Sequence, residues 1–516
     1  MSTRATTVVE TSSGSVKGVA RDAGVTAFLG VPYAAPPVGT LRFEPPAPPA
    51  PWSDVRDCTE HGATAPQPAG EGEVAELLPN RISPGDDHLL VNVWTPDVDG
   101  SAPVMVFVHG GSFVTGSGSV PLYDGGSFAR DGVVLVTINY RLGAEGFLWT
   151  GTGTPNLGLL DQVAALEWVR DEIAAFGGDP VRVTVFGESA GAMSVGALMA
   201  MPRAAGLFSR AILESGAGVS AIAPASAQRV AGRLASILGV DATLEGFRTV
   251  PPAALVAASS QLAAEVARRP TRKYGRDVGR NLMIFEPVVD GDVLPGLPED
   301  VIAAGASRDV SLMVGTNADE ARLFFVPTGA DRRLSGLAGR LFAWTFGARG
   351  PGVVRRYARN RPGVAPGLVA AAILTDGYYR VPALRLALAH GLAHVYEFAW
   401  QAPAYDGRLG ACHALELPFV FDTLAEPGAA ELVGDDAPQE LATAVHDAWV
   451  AFATTGDPGW PRYTASERAS RRFAGPGDGA AGADGVTVDD RADERRLWRR
   501  PRGLPGESAA RRGVRA

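Results

Sequence analysis

The stretch Val181-Arg-Val-Thr-Val-Phe-Gly-Glu-Ser-Ala-Gly-Ala-Met-Ser-Val-Gly-Ala-Leu-Met199 decides the fold. Its first third, Val181–Phe186, is β-branched and aromatic and reads as a strand. Its last third, Ala192–Met199, is built from helix formers. Between them lies Gly187-Glu-Ser-Ala-Gly191. The pattern G-x-S-x-G alone is weak in a chain with 63 glycines. Placed between a strand and a helix it gains a mechanism. The turn is tight enough to strain its central residue, and the two glycines leave no Cβ where neighbouring chain passes. Ser189 is thereby lifted above the C-terminal edge of a sheet. The following helix points its positive end at the same spot, where it favours a developing negative charge.

Working outward, short apolar runs alternate with longer Ala/Leu-rich segments, the βαβ pattern of a parallel sheet. Strands are predicted at Leu89–Trp94, Val104–Val108, Val133–Asn139, Val181–Phe186, Ala211–Glu214 and Val310–Gly315. Helices are predicted at Leu159–Ala175, Ala192–Met199, Ala225–Leu238 and Gln439–Thr454. The expected class is therefore α/β, an α/β-hydrolase fold with a mostly parallel central sheet and helices on both faces. Strand Val104–Val108 runs into His109-Gly-Gly-Ser-Phe113. In this fold a Gly-rich loop at that point joins the residue after the nucleophile in forming an oxyanion hole. The expected donors are the N–H groups of Gly111, Ser112 and Ala190.

The fold also orders the remaining groups as serine, then acid, then histidine. After strand Val310–Gly315 come Asp319 and Glu320, either of which could orient an imidazole. Four histidines follow. His390 and His394 are four apart but lack the glutamate of a zinc-protease helix, so packing is the expected role. His446 lies inside a helical pattern. His413 sits in a loop before the apolar Leu417-Pro-Phe-Val-Phe421, a position where catalytic residues collect.

Composition narrows the function. The chain has 516 residues, 46% hydrophobic and 20% charged, with a net charge of −9. An acidic balance argues against nucleic acid as a partner. No apolar run is long enough for a transmembrane helix, and residues 1–10 carry no signal-peptide pattern. Cys58 and Cys412 are too few for a disulfide framework, which fits a reducing, cytoplasmic setting. One domain is expected over residues 1–500, followed by a disordered tail at 501–516. Residues 32–51 are proline-rich and expected to pack extended, and residues 471–487 are expected to form a surface loop.

These motifs resemble the type-B carboxylesterase and cholinesterase family, including its bacterial para-nitrobenzyl esterases. The resemblance spans about residues 10–500. It is carried by Gly30-Val-Pro-Tyr-Ala-Ala-Pro-Pro-Val-Gly39, Asn92-Val-Trp94, His109–Phe113, Asn139-Tyr-Arg-Leu-Gly143, Asn156-Leu-Gly-Leu-Leu-Asp-Gln162 and the serine block at 183–191. It implies Glu320 as the acid and His413 as the base, and makes Glu188 a buried carboxylate that tunes the site. It also places Leu323 and Phe324 near the acyl side. Four departures stand out. The usual Glu-Asp-Cys-Leu is Asp86-Asp-His-Leu89, an earlier cysteine is replaced near Ala65, the third loop glycine is Ser112, and Ala321 stands where a glycine is expected. The family's N-terminal disulfide is therefore missing. No aromatic residue lies between Ser53 and Val93, against the aromatic cage that a choline ester needs.

The activity implied is hydrolysis of short-to-medium soluble esters by a Ser189–His413–Glu320 triad, with no metal or cofactor. Alternatives are amidase or lipase activity on the same triad, or a non-catalytic binding module. No amphipathic lid stands out, no membrane partner is expected, and the chain is read as a monomer or weak homo-oligomer. Activity is expected to fall as His413 protonates, near the ordinary imidazole pKa of roughly 6.5.

Overall fold

The computed structural model describes residues 5–217, 220–268, 273–348, 352–475 and 485–498. The expected tail at 501–516 lies outside them. The described residues carry thirteen strands in one sheet. They are β1 (Thr6–Thr11), β2 (Gly14–Ala20), β3 (Thr26–Pro32), β4 (Arg56–Asp57), β5 (Leu90–Thr95), β6 (Ala102–Val108), β7 (Val134–Ile138), β8 (Gly178–Glu188), β9 (Arg210–Glu214), β10 (Ser311–Asn317), β11 (Ala393–Phe398), β12 (Ala469–Phe473) and β13 (Val486–Val488). Their order is β1-β2-β3-β5-β7-β6-β8-β9-β10-β11-β12-β13, with β4 beside β2. From β7 across β6, β8, β9, β10 and β11 to β12 the neighbours are parallel, while β1, β2, β3, β5 and β7 pair antiparallel in turn, as do β12 and β13, and β4 runs parallel to β2.

The parallel strands are buried on both faces, so their alternate residues feed two cores. Val104, Val106, Val108, Val183, Val185, Leu213 and Val314 point into one, with the helices Leu157–Glu172 and Ala190–Ala200. Met105, Phe107, Phe186, Ile212 and Met313 point into the other, with Trp449 and Phe452 of the helix Gln439–Thr455. The helix Ala190–Ala200 is buried along its whole length. Its small residues let it lie close over the sheet, which holds its N-terminus at the end of β8.

The four expected helices are present, with Leu159–Ala175 ending its regular part at Glu172 and closing in a tighter turn, Ile173–Phe176. Residues 32–51 pack against the body as expected, anchored by buried Tyr33 and Phe43 and by Arg42, which donates to Glu145 at 2.8 Å. The expected loop at 471–487 needs correction: its ends pair as β12 and β13, and residues 476–484 lie outside the described residues. Arg471 and Arg472 look solvated in sequence, yet as consecutive residues of a strand they point to opposite faces, and Arg472 pairs with the buried Glu397 of β11. Cys58 and Cys412 are both free and buried.

Among the described residues no helix is long and apolar enough to cross a membrane, and no cluster of ligating side chains could hold a metal ion.

Candidate active site

β8 ends at Glu188, and Ser189 follows with φ 56° and ψ −122°, outside the regions a side chain prefers. Such a residue costs about 1–3 kcal/mol and persists only where its surroundings over-determine it. Here the Ser189 N–H donates to the Glu214 carbonyl at 2.9 Å, and its own carbonyl accepts from Met193 at 2.9 Å. The flanking glycines are explained by space. A Cβ on Gly191 would stand 1.9 Å from the Val108 carbonyl oxygen, and one on Gly187 would stand 2.6 Å from the same atom.

The loop after β6 passes directly over this turn. A Cβ on Gly110 would meet Ser189 Cβ at 3.1 Å and the Glu188 carbonyl oxygen at 2.9 Å. Gly111 has φ 109°, Ser112 φ 55° and Phe113 φ 62°, so the loop coils left-handed through three residues. The Gly111 carbonyl accepts from Val114 and Thr115, each at 3.0 Å, which fixes the coil. The N–H groups of Gly111 and Ser112 donate to no acceptor among the described residues. Ala190 opens its helix, so its N–H has no intrahelical partner either. His109 faces away: it stacks on Tyr140 at 4.6 Å, and its Nδ1 lies 2.8 Å from the Gly110 carbonyl oxygen.

β10 delivers the carboxylates. Glu320 is fully buried, and its Oε2 lies 2.7 Å from His413 Nδ1. Its Oε1 accepts from the Asn317 N–H at 2.8 Å. Asp319 turns the other way and pairs with Arg322 at 2.8 Å. The segment carrying His413 is laced to the same loop. Asp319 N–H donates to the Ala411 carbonyl at 2.9 Å, His413 N–H to the Glu320 carbonyl at 3.2 Å, and Asn317 Nδ2 to the Cys412 carbonyl at 2.6 Å. His413 Nε2 then lies 2.9 Å from Ser189 Oγ. Residues more than 200 apart in sequence thus meet along one line, carboxylate to imidazole to hydroxyl.

Two further glutamates crowd the imidazole. Glu188 Oε1 lies 3.1 Å from His413 Nε2, close enough for charge but out of line for a hydrogen bond. Glu416 lies three residues after His413 at the end of a turn, fully buried, and accepts from Ser215 Oγ at 3.3 Å and from Asn317 Nδ2. Burial pushes the Glu188 carboxyl up to about 8 and the Glu416 carboxyl up to about 7, with Glu320 adding repulsion to Glu416. For His413 burial works against the cation, yet Glu188 and Glu320 outweigh it and hold the ring above its ordinary value, at about 9. This corrects the sequence expectation of an unperturbed imidazole: the carboxylates move it upward.

Aromatic rings wall the imidazole, with Tyr379 at 5.0 Å and Phe324 at 5.5 Å between centroids. Tyr379 comes from a wide turn, Asp376–Arg380, inserted between two α-helices, a local feature common at functional sites. Of the two residues expected on the acyl side, only Phe324 borders the site. Leu323 packs into the core at 1% exposure.

The sequence signal misses Glu416, Ser215, Asn317 and Tyr379, since none sits in a recognisable pattern. A Glu three residues after the candidate histidine was the one available hint.

The other histidines pack. His390 ends a helix with Nε2 3.2 Å from the Ser307 carbonyl oxygen, His394 lies in β11 with Nδ1 2.8 Å from that of Trp460, and His446 Nδ1 lies 2.7 Å from that of Val420.

A largely parallel sheet with a strained serine elbow at its C-terminal edge defines the α/β-hydrolase fold. The chain belongs to the carboxylesterase family, whose model matches residues 5–336, and it is a carboxylic ester hydrolase. It is 40% identical over 485 residues to the para-nitrobenzyl esterase of Bacillus subtilis (strain 168), covering 88% of this chain and 92% of that one. It is 36% identical over 485 residues to a phenmedipham hydrolase of Pseudarthrobacter oxydans, covering 90% and 94%. A crystal structure of a Geobacillus stearothermophilus carboxylesterase superposes with a TM-score of 0.81 at 37% identity, covering 96% of this chain and all of that one.

Proposed function

We propose that the chain hydrolyses soluble short-to-medium carboxylic esters through an acyl-enzyme on Ser189. The observation that carries this reading is the His413 ring, bound by Glu320 at one nitrogen and facing Ser189 Oγ at the other. His413 takes the Ser189 proton as Oγ attacks the ester carbonyl. The carbonyl oxygen becomes an oxyanion held by the N–H groups of Gly111, Ser112 and Ala190, each worth about 10²–10³ in rate in comparable sites. The tetrahedral adduct collapses, the C–O bond to the alcohol breaks, and His413 returns the proton to the leaving alkoxide. Water then attacks the acyl carbon, its proton passing to His413; the C–Oγ bond breaks, His413 returns that proton to Ser189 Oγ, and the acid leaves. Glu320 stabilises the imidazolium in both halves. No step calls for a metal or cofactor. A single domain over residues 1–500, a monomeric or weakly associating state and a cytoplasmic location complete the proposal.

The test is hydrolysis of para-nitrophenyl esters from acetate to decanoate beside the matching anilides. Turnover with an optimum among the shorter esters supports the reading. A strong preference for anilides would favour the amidase alternative, one for emulsified long chains the lipase. A folded chain inactive on all of them would leave the binding module.

The carboxylate crowd predicts a pH shift. The Glu188 anion favours the imidazolium, so it raises the pH below which the free base is lost. In Glu188→Gln that support is gone, and the acid limb of kcat/KM is expected to move to lower pH than in wild type. A limb that stays in place or moves upward contradicts the role given to Glu188.

A further inference from the structure

The helix Gly336–Thr345 lies beside the site and leaves one face bare. Gly339 and Ala343 are buried, the former close to Ile373 of the helix Pro366–Thr375. Phe342 packs its ring 5.9 Å from Phe325, next to the Phe324 that borders His413. On the opposite face Leu337 is 71%, Leu341 58% and Trp344 70% exposed. Spacings of four and three residues put them on one stripe, with exposed Arg340 among them. This is the amphipathic segment that sequence periodicity does not reveal, because Ala and Gly on the buried face look no more apolar than the exposed one.

Charge identifies what the face suits. From Arg332 to Thr375 the chain has eight arginines and no aspartate or glutamate, although the whole chain carries −9. Arg356 and Arg361 are paired with Asp493 and Glu494. Exposed Arg332, Arg333, Arg340, Arg355 and Arg359 have no carboxylate partner among the described residues. A second copy of the chain fits poorly, since a two-fold contact through this stripe would set Arg340 near its own twin. A surface that is apolar inside and anionic outside satisfies both features. Tryptophan and leucine reach the acyl boundary while arginines meet phosphates, as in helices that lie in an interface. Each arginine near an anionic bilayer strengthens partitioning roughly fivefold.

We infer that the stripe Leu337–Arg340–Leu341–Trp344 docks the enzyme on anionic lipid surfaces, its helix joined through the Phe342–Phe325 contact to the segment that walls the site, where it meets esters dissolved there. The docking rests on this surface alone; only its use for substrate delivery rests on the esterase reading.

The test is co-sedimentation of the full chain with vesicles of equal phosphatidylcholine and phosphatidylglycerol, or of phosphatidylcholine alone. Wild type is expected to pellet with the anionic vesicles and to be released by high salt. The double variant Leu341→Glu/Trp344→Glu is expected to lose about tenfold or more in partitioning, and Arg340→Glu severalfold, as expected when buried apolar area and cationic charge are removed. Hydrolysis of para-nitrophenyl acetate in vesicle-free buffer, measured on the same samples, is expected to be unchanged. It reports separately on the esterase reading. Wild type that stays in the supernatant, or pellets equally with all variants, overturns the proposal. So does a dimer dissolved by Trp344→Glu without vesicle binding, which would make a second copy the occupant.

Discussion

Ser189→Ala is expected to lower kcat on para-nitrophenyl esters by about 10⁶-fold, the scale set by removal of a catalytic serine elsewhere. The fold should not suffer. Ser189 is held by its backbone, through the Glu214 carbonyl and the Met193 N–H, and alanine keeps both bonds. Its side chain is only half-buried and makes the single contact to His413. Removing a methylene-borne hydroxyl there opens no core cavity. A variant with native circular dichroism and thermal midpoint but no turnover is the outcome the mechanism requires. Retained activity above about 1% of wild type would move the nucleophile elsewhere, because an oxyanion hole alone leaves far less.

The second large effect separates two neighbouring carboxylates. Glu320→Gln is expected to lower kcat by about 10⁴-fold, as loss of the charged orienting group does in other triads. The amide can still meet His413 Nδ1, but it no longer stabilises the imidazolium and can stabilise the wrong tautomer. Asp319→Asn is expected to keep most of the activity. Asp319 faces Arg322 and Gln401, on the side away from the imidazole, so its loss weakens a partly buried ion pair instead. The expected cost is a lower midpoint in thermal melts, on the order of 1 kcal/mol. A reversal of the two activities would assign the acid to Asp319. The measurement is kcat and the melting curve for both variants side by side.

The two expectations show where sequence is informative. Strands β5 to β10 are legible because burial on both faces makes them continuous apolar runs. The elbow is legible because its glycines answer a steric demand that nothing else meets. The choice between Asp319 and Glu320 is not legible from residue chemistry, since both are carboxylates on the same turn. It depends on which way β10 exits, and only the family resemblance favours Glu320 in advance.

Other features escape for definite reasons. β11 hides behind His394 and Glu397, polar residues that a strand buries only because Trp460 and Arg472 meet them. The first three strands mix threonine, glycine and charged residues with their apolar ones, so their alternation is weak. The carboxylate crowd around His413 comes from three separate strand and loop ends, so no local window contains it. The imidazole's upward shift follows from that crowd and is invisible to a residue-by-residue reading. The bare face of Gly336–Thr345 escapes for the same reason, since exposure of an apolar residue is a property of its neighbours.

The proposed mechanism requires a covalent acyl group on Ser189. Rapid mixing of the enzyme with para-nitrophenyl acetate, acid quench and peptide mass mapping would test it directly. A burst of nitrophenolate is expected, with an acetyl group on the peptide spanning Val183–Gly191, located at Ser189 and absent in Ser189→Ala. Turnover with no adduct on that peptide, or with the acetyl group on another residue, would contradict it.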